Sequence, residues 1–483
     1  MWEESRRVFY SEFQSAVRQI DVNQLLRAIA EKSASQKQFV GFDSDWLQAA
    51  PWALSGIARE AILSSHRNGT KDLDNRRFVR LLNLFRQIDV TDHDDFKIYP
   101  FFTSTGHMQF PYQIHAKEEV ARPGLVLLET DIDKKSKTPS ELAELFSCPA
   151  EDVTYATFLI YALAKSNRGM LHPDQIRDLY RNSGTRKLPP IASVLGTLTR
   201  LTSTIHEARE DGLNVKQLKG SQQRFGYNPL SRTPFIKMKD GWLCAPQTYF
   251  VLRSSSMESI YYAGQRKWPN GEFSTELGHR VEAYIGSQLK HTGLLDVRPE
   301  FVTGTGTKST DWIVVTPQAV ILIESKSARI PIEVRAGVDE AAQLVTDRLT
   351  VAYQQLNRTA VGIAAGQDRY SHLPADRPIV GMVVTAEPIY MANDPEVRAL
   401  LPETSIPIGV VALRDLERLA TFKPEFLANT LLAWLNHPVA SGYEVLSAMR
   451  ELEIKTPTRS NTLIDAAYNR YLEVSKVSSL PST

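Results

Sequence analysis

Residues 309–329 read STDWIVVTPQAVILIESKSAR, and this stretch decides the fold of the second half of the chain. Asp311 precedes one apolar run, and Glu324 and Lys326 end the next. The run 319–323 is apolar enough for a strand buried on both faces, where an unpaired charge would be costly. A Thr-Pro-Gln turn folds the first strand back beside the second. Because side chains alternate along a strand, Glu324 and Lys326 share a face, and Asp311 is expected beside them.

Two carboxylates and an ammonium group at one end of a sheet predict a site for a hard cation. Mg²⁺ prefers oxygen ligands and usually takes one or two carboxylates together with water and phosphate. Asp311 and Glu324 would supply that pair, and Mn²⁺ is a plausible substitute metal. A metal held in this way assists attack on a phosphodiester, and the nearby Lys326 can stabilise charge or help to deprotonate water. The predicted chemistry is therefore phosphodiester hydrolysis.

The segments around the hairpin add three further features. An amphipathic helix over 273–293 precedes it and contains Gly278 and Glu282 in a G-x-x-x-E pattern. A second long helix follows at 339–358 and ends in Tyr-Gln-Gln-Leu. The remaining segments are apolar strands at 379–385 and 408–413.

This order of elements resembles the core of the PD-(D/E)xK nuclease superfamily. The resemblance covers residues 273–420 and implies a restriction-endonuclease-like α/β core, a central mixed sheet flanked by helices. It also implies a magnesium-dependent endodeoxyribonuclease. The site residues implied are the metal ligands Asp311, Glu324 and Glu282 with the catalytic residues Lys326 and Gln355. Thr310 stands where the family has proline, a change that touches no ligand.

Simpler interpretations exist for each of these residues. Glu453-Ile-Lys455 repeats the same charge pattern without a preceding acidic hairpin, so the Glu324 motif is also compatible with a salt bridge at a strand end. Glu276 lies on the same helix as Glu282, but Glu282 is nearer the apolar stripe. Gln355 is as compatible with an exposed helix position as with a functional one.

A basic and aromatic segment at 212–270 has two interpretations of equal weight. Its bases and aromatic residues could neutralise phosphates and stack on bases, or they could belong to a hairpin module turning at Asp240-Gly241. The residues predicted to bind nucleic acid are Lys216, Lys219, Arg224, Lys237 and Lys239.

The rest of the chain is predicted to be mostly helical, and composition limits its class. The expected regions are a helical one with a small β element (1–135), a helical, winged-helix-like module (136–210), the basic hairpin or linker (211–270), the nuclease core (271–422) and a helical tail (423–483). The β element is predicted from segments 96–102, 108–115 and 121–130. The patterns Asp21-x-x-Gln24 and Thr138-x-x-Glu141 predict helix starts, and the three helices of the module are predicted at 152–164, 173–181 and 190–208. A net charge of +1 gives no global case for nucleic-acid binding. Two cysteines, and no run long enough for a membrane span, favour a cytoplasmic protein without membrane association.

The sequence therefore predicts a DNA endonuclease, and the architecture is analogous to bacterial restriction and genome-defence proteins. Two alternatives stay open. One is a nuclease-like DNA-binding or assembly subunit that works with other defence or transposition proteins, and the other is an RNA-directed nuclease. A homodimer is compatible with either, since the sequence does not fix the oligomeric state.

Overall fold

The computed structural model describes most of the chain. The described residues are 8–36, 49–67, 69–88, 98–112, 116–133, 135–183, 188–215, 217–291, 293, 296–302, 308–327, 330, 332–335, 340–455 and 459–472. Within them the protein is a mixed α/β molecule with two sheets.

The N-terminal half of the described chain is predominantly helical. Its helices are α1 (Tyr10–Val17), α2 (Val22–Ser35), α3 (Pro51–Leu63), α4 (Asn75–Gln87), α5 (Ile98–Gln109), α6 (Ala116–Gly124), α7 (Pro139–Phe146), α8 (Ala150–Ser166), α9 (Pro173–Asn182), α10 (Ile191–Arg200) and α11 (Ile205–Leu213). The predicted cap at Asp21 is confirmed, because its carboxylate accepts a hydrogen bond from the Gln24 N–H at 2.9 Å. Thr138 and Glu141 form the predicted capping box at the start of α7.

Helices of the C-terminal half alternate with strands and then close the chain. They are α12 (Thr248–Arg253), α13 (Met257–Lys267), α14 (Glu272–His291), α15 (Ile332–Arg335), α16 (Ala341–Ala364), α17 (Pro395–Leu400), α18 (Leu413–Leu419), α19 (Pro424–Asn436), α20 (Val445–Glu451) and α21 (Thr462–Leu472). The predicted helical tail (423–483) is thus helical as far as residue 472, and residues 473–483 lie outside the described residues.

A five-stranded mixed sheet forms the centre of this half. Its strands are β5 (Val297–Pro299), β6 (Trp312–Val315), β7 (Val320–Lys326), β8 (Ile379–Thr385) and β9 (Ile408–Ala412), in that spatial order. The pairs β5–β6 and β6–β7 are antiparallel, whereas β7–β8 and β8–β9 are parallel. The predicted hairpin is therefore present, and the order of helix, hairpin, helix and two strands agrees with the expected order.

Helices cover both faces of this sheet. The apolar stripe of α14 packs on one face, where Leu277 and Val281 meet Ile321 and Ile323 in a core that the C-terminal helices also enter. On the other face α16 packs on the alternate residues of the strands, including Val320 and Leu322. Burial on both sides explains why β7 reads as a continuous apolar run.

The smaller sheet belongs to the middle of the chain. Its four strands, β1 (Met170–Leu171), β2 (Thr202–Ser203), β3 (Phe235–Lys237) and β4 (Leu243–Cys244), lie in the order β1-β4-β3-β2. The β3–β4 pair is the predicted hairpin, and Gly241 has the positive φ of 86° that its turn requires. The hairpin pairs through β4 with β1, which lies between α8 and α9. This arrangement joins the hairpin to the preceding helices.

The helices of this module differ from the prediction at one point. Residues 190–208 were expected to form one helix, but α10 ends at Arg200 and α11 begins at Ile205. Strand β2 separates the two helices because Thr202 and Ser203 pair in parallel with Phe235 and Ile236.

The prediction of a small β element in the N-terminal region was wrong. The described parts of 96–102 and 108–115 belong to α5 and to a short 3₁₀ turn at Phe110–Tyr112. The segment 121–130 begins in α6 and continues into a π-helical turn at Leu125–Glu129. These short runs mix buried residues such as Tyr99 and Val126 with exposed ones such as Phe102 and Phe110, and an apolar run of that length does not distinguish helix from strand. Residues 96–97 and 113–115 lie outside the described residues.

Candidate active site

The register of the β6–β7 hairpin places the two predicted carboxylates opposite each other. Trp312 pairs with Ile323, so Asp311, one residue before β6, stands across from Glu324. Both residues are buried, with 8% of Asp311 and 2% of Glu324 exposed. The strand ends therefore bring together the pair that the sequence singled out.

The hairpin holds the Asp311 carboxylate in place. Its Oδ2 accepts hydrogen bonds from the Ser325 backbone N–H at 2.7 Å and from the Ser325 hydroxyl at 2.5 Å. Both bonds come from Ser325, between Glu324 and Lys326, which was not among the predicted site residues. Ser325 therefore fixes the position of Asp311 relative to Glu324.

Glu324 is only partly satisfied. Its Oε1 accepts a hydrogen bond from the Lys326 ammonium group at 2.8 Å, but its buried Oε2 has no hydrogen-bond partner among the described residues. Burial, together with the charge of Asp311, raises the pKa of Glu324 to about 7. An unpartnered buried carboxylate oxygen beside a second carboxylate is a place where a cation would be stabilised.

Glu282 approaches the pair from α14. Burial raises the pKa of Glu282 to about 7, and the charges of Asp311 and Glu300 add to the effect. The Trp312 indole N–H donates to the backbone carbonyl of Glu282 at 2.9 Å, which fixes α14 against the start of β6. A Cβ at Gly278 would lie 3.3 Å from the Ser327 hydroxyl oxygen, so the predicted G-x-x-x-E helix also passes close to the end of β7.

Glu276, the other candidate on α14, has a different environment. Its side chain accepts hydrogen bonds from Arg280 at 2.8 and 3.0 Å and from Ser136, through both backbone and hydroxyl, at 2.6 and 2.9 Å. Although burial raises it, these bonds hold the pKa of Glu276 below its usual value. Glu276 therefore belongs to the scaffold, and Glu282 is the glutamate of α14 that faces the hairpin carboxylates.

Gln355 reaches the hairpin from α16 on the opposite side. Its amide nitrogen donates to the backbone carbonyl of Ser309 at 3.1 Å, two residues before Asp311. The neighbouring Gln354 is exposed. Of the two glutamines, Gln355 is thus the one that contacts the segment leading into Asp311.

Glu300 and Lys308 also lie at this edge, and neither was among the site residues predicted from the sequence. The Lys308 ammonium group lies 2.7 Å from a carboxylate oxygen of Glu300, and the Glu300 N–H donates to the Asp311 carbonyl at 2.7 Å. Residues 297–299 form the edge strand β5 against β6, and identifying that short strand would have placed Glu300 beside Asp311.

The carboxylates of Asp311 and Glu324 suit a hard cation, but they form a pair of ligands and not a larger cluster. Within the described residues no group of three or more His, Cys, Asp or Glu side chains is arranged to hold a metal ion. Asp311 and Glu324 still supply the one or two carboxylates that Mg²⁺ commonly takes, and the free Glu324 Oε2 fits that requirement. The charge of Asp311 acts on Glu282, but Glu282 does not form a three-carboxylate metal site with Asp311 and Glu324.

The residues predicted to bind nucleic acid are dispersed. Lys237 and Lys239 are exposed on the β3–β4 hairpin, and Lys219 is exposed before a 3₁₀ turn. Lys216 lies outside the described residues. The hairpin is held against α2 by an ion pair between Asp240 and Arg27 at 2.5 Å.

The guanidinium group of Arg224 packs against two aromatic rings and is not available to bind a phosphate. Its guanidinium group stacks 5.1 Å from the ring centre of Phe85 and 5.6 Å from that of Phe225, and burial lowers its pKa to about 10. We therefore assign Arg224 to the packing of the N-terminal helices and not to the phosphate contact predicted from the sequence.

A cavity of about 480 Å³ lies at the opposite end of the hairpin, beside the Thr316-Pro317 turn. None of the predicted site residues lines it. The carboxylate site is therefore at a different edge of the sheet from this cavity.

Comparisons with protein-family models, curated proteins and solved structures found no match to this chain. Among the helices that the structure describes, none combines the length and the apolar character needed to span a bilayer.

Proposed function

We propose that this protein is a metal-dependent endonuclease that hydrolyses DNA phosphodiester bonds, with a restriction-endonuclease-like core of the PD-(D/E)xK type. One observation carries the proposal. Asp311 and Glu324 meet at the end of a buried hairpin, where a buried carboxylate oxygen of Glu324 has no hydrogen-bond partner in the described part of the chain. The order of α14, β5 to β7, α16, β8 and β9 supports it, since the family resemblance implies that order.

In the proposed site Asp311 and Glu324 hold Mg²⁺, or Mn²⁺ in its place, and Glu282 assists from α14. A bound divalent cation would neutralise charge on the phosphate and lower the pKa of a coordinated water. Ser325 orients Asp311, and Gln355 steadies the segment before it. Lys326 lies on the same face as Glu324 and is proposed to stabilise charge on the phosphate.

The proposed DNA-contacting surface includes the winged-helix-like module. Lys237 and Lys239 project from its hairpin, and Lys219 and Lys216 precede the hairpin in sequence. Exposed lysines on a turn can neutralise phosphates without reading sequence. A role in bacterial restriction or genome defence, a cytoplasmic location and a homodimer are proposals that rest on architectural analogy alone.

A second candidate function is a nuclease-like DNA-binding or assembly subunit of a defence or transposition complex. The observation that favours it is the hydrogen bonding of the site. One oxygen of Asp311 is held by Ser325, and Lys326 pairs with Glu324 at 2.8 Å, as in an ordinary salt bridge at a strand end. In such a subunit this edge would stabilise the fold without cutting DNA.

The test is cleavage of supercoiled plasmid, single-stranded DNA and RNA by the full chain, with Mg²⁺, Mn²⁺ or chelator. We expect metal-dependent DNA cleavage that falls on the order of a hundredfold or more in Asp311→Asn and Glu324→Gln, since each removes charge that the reaction needs. Lys326→Ala should lose turnover and keep most DNA affinity. The matched control is Glu453→Gln, which alters the exposed Glu-x-Lys motif and should cut at the wild-type rate.

Three results would redirect the proposal. Undiminished cleavage in both carboxylate variants, with unchanged thermal melting, would contradict the site assignment. Cleavage of RNA alone would indicate an RNA-directed nuclease. DNA binding without cleavage under either metal would favour the assembly subunit.

A further inference from the structure

A second cavity, of about 360 Å³, lies away from the carboxylate site. It is enclosed by α6, α18 and α20 and by the turn that leads into α21. None of its lining residues belongs to the candidate active site. Its volume falls within the roughly 300–1,000 Å³ range of pockets that take small molecules.

The charges that line this cavity do not cancel. Of its acidic residues, Asp465 pairs with Lys117, and Glu417 is held by two hydrogen bonds from Arg122 at 2.7 and 2.8 Å. Three arginines also line it: Arg418, Arg450 and Arg459. None of these three guanidinium groups forms a salt bridge with a described residue, although the charge of Arg418 acts on the buried Asp415. Among the described residues that line the cavity, Glu118 is the one carboxylate outside the two pairs above.

The start of α21 adds a second feature that suits an anion. Asn461 caps this helix by accepting a hydrogen bond from the Ile464 N–H at 3.2 Å. Asn461, Ile464 and the Asp465 that pairs with Lys117 all line the cavity, so the first turn of the helix lies at its wall. Helix N-termini carry partial positive charge and exposed N–H groups, and they commonly bind phosphate. Arginine is the side chain best shaped for the same group, since it donates two parallel hydrogen bonds.

Part of the cavity wall is apolar. Phe422 and Ile464 are each only 3% exposed, and Leu446 lies partly buried beside them. This side offers contact to an apolar or aromatic moiety, whereas the arginines offer contact to an anion. A ligand that satisfies both sides carries a ring system and a phosphate.

We propose that this cavity binds a small phosphorylated molecule of the nucleoside-phosphate class. Arg418, Arg450 and Arg459 bind the phosphate, together with the first turn of α21, and the apolar wall takes the base or sugar. The proposal does not depend on the nuclease assignment.

Hydrogen bonds connect the cavity to α14. The Asn461 amide donates to Gln288 at 2.8 Å, Gln288 donates to the Tyr284 hydroxyl at 2.7 Å, and Tyr284 donates to Glu417 at 2.9 Å. A ligand that orders the turn at Asn461 should therefore stabilise α14 as well. Ligand binding is expected to raise the melting temperature of the full chain.

The test is isothermal titration of the full chain with AMP, ATP, inorganic phosphate and adenosine. We expect AMP or ATP to bind at one site per chain, with inorganic phosphate and adenosine each at least tenfold weaker. Arg450→Gln, a change at an exposed position, should weaken nucleotide binding about tenfold, and Arg418→Gln with Arg450→Gln should weaken it further. Arg76→Gln with Arg80→Gln, at exposed positions of α4, is the matched control and should bind like the wild type.

The result that overturns the proposal is equal nucleotide affinity in the wild type and in Arg450→Gln, or no binding of any of these compounds to the wild type. A single-stranded 20-nucleotide DNA distinguishes the source of the phosphate. If Arg450→Gln weakens binding of that DNA while AMP and ATP fail to bind the wild type, the arginines contact nucleic acid and the small-molecule proposal is wrong. A melting curve of each free variant shows that it has folded.

Discussion

Helix α14 carries two buried or half-buried glutamates whose environments are opposite. Near its start, Glu276 receives hydrogen bonds from Arg280 and Ser136, and its pKa lies below the usual value. Less than two turns later, Glu282 faces Asp311 and Glu300, and its pKa rises to about 7. The helix and the residue type are the same, and only the neighbours differ.

The same contrast separates two larger regions. Between α6 and α18, Arg122 bridges Glu119 and Glu417 in a buried group whose charges are paired. At the Asp311 edge two carboxylates face each other and one buried oxygen has no partner among the described residues. Paired burial is the pattern of a scaffold, whereas like charges held together with an unsatisfied atom are the pattern of functional sites.

The largest expected effect on stability comes from replacing the two glutamates of α14, which tests whether their environments differ. Glu276→Gln removes the charge that pairs with buried Arg280, and it should lower the free energy of unfolding by about 3 kcal/mol. Glu282→Gln should leave stability unchanged or slightly raised at pH 8, because it relieves repulsion from Asp311. Urea unfolding of both variants measures the difference, and equal losses would mean that the two environments are alike.

The pH dependence of stability sharpens the comparison at Glu324. Its folded-state pKa is about 7 instead of 4.5, so the folded protein binds this proton more tightly than the unfolded chain does. Stability without metal should therefore fall as pH rises from about 4.5 to about 7, by roughly 1–3 kcal/mol from this group.

Glu324→Gln should remove this part of the slope and be more stable than the wild type at pH 8. Mg²⁺ should restore the stability of the wild type at that pH and have no such effect on the variant. Thermal melting across the pH range provides the measurement. Identical dependence of stability on pH in the two proteins would show that folding does not raise the pKa of Glu324.

The sequence predicted the charged hairpin more completely than its surroundings. Asp311, Glu324 and Lys326 could be placed because an apolar strand with alternating side chains fixes which residues share an end and a face. Glu282 could be placed because helical periodicity puts it beside the apolar stripe of α14. Gln355 was named only because the family resemblance implies it, since the sequence alone was equally compatible with an exposed position.

Other features depend on contacts between distant segments. Arg122 and Glu417 pair across 295 residues, and no local pattern specifies such a contact. Helix α5 and the π-helical turn after α6 were mistaken for strands because their runs of apolar and aromatic residues have no clear period. The role of Arg224 depended on Phe85 lying beneath its guanidinium group.

The smallest expected effect concerns the exposed hairpin of the smaller sheet. If Lys237 and Lys239 contact phosphates, replacing both with alanine should reduce the slope of log affinity for DNA against log salt by about two. Fluorescence anisotropy with a labelled duplex at several salt concentrations measures the slope. Replacing Arg76 and Arg80 on α4 provides a control with the same loss of charge, and an unchanged slope in the hairpin variant would assign the hairpin to the scaffold.

The central claim is that Asp311 and Glu324, whose Oε2 has no hydrogen-bond partner among the described residues, hold a divalent cation. Its most direct test is Mn²⁺ binding, followed by the loss of the free-ion electron paramagnetic resonance signal, in the wild type, Asp311→Asn, Glu324→Gln and the control Glu453→Gln. We predict Mn²⁺ binding to the wild type and the control, with affinity reduced at least tenfold in the two hairpin variants. Equal Mn²⁺ affinity in all four proteins would contradict the claim.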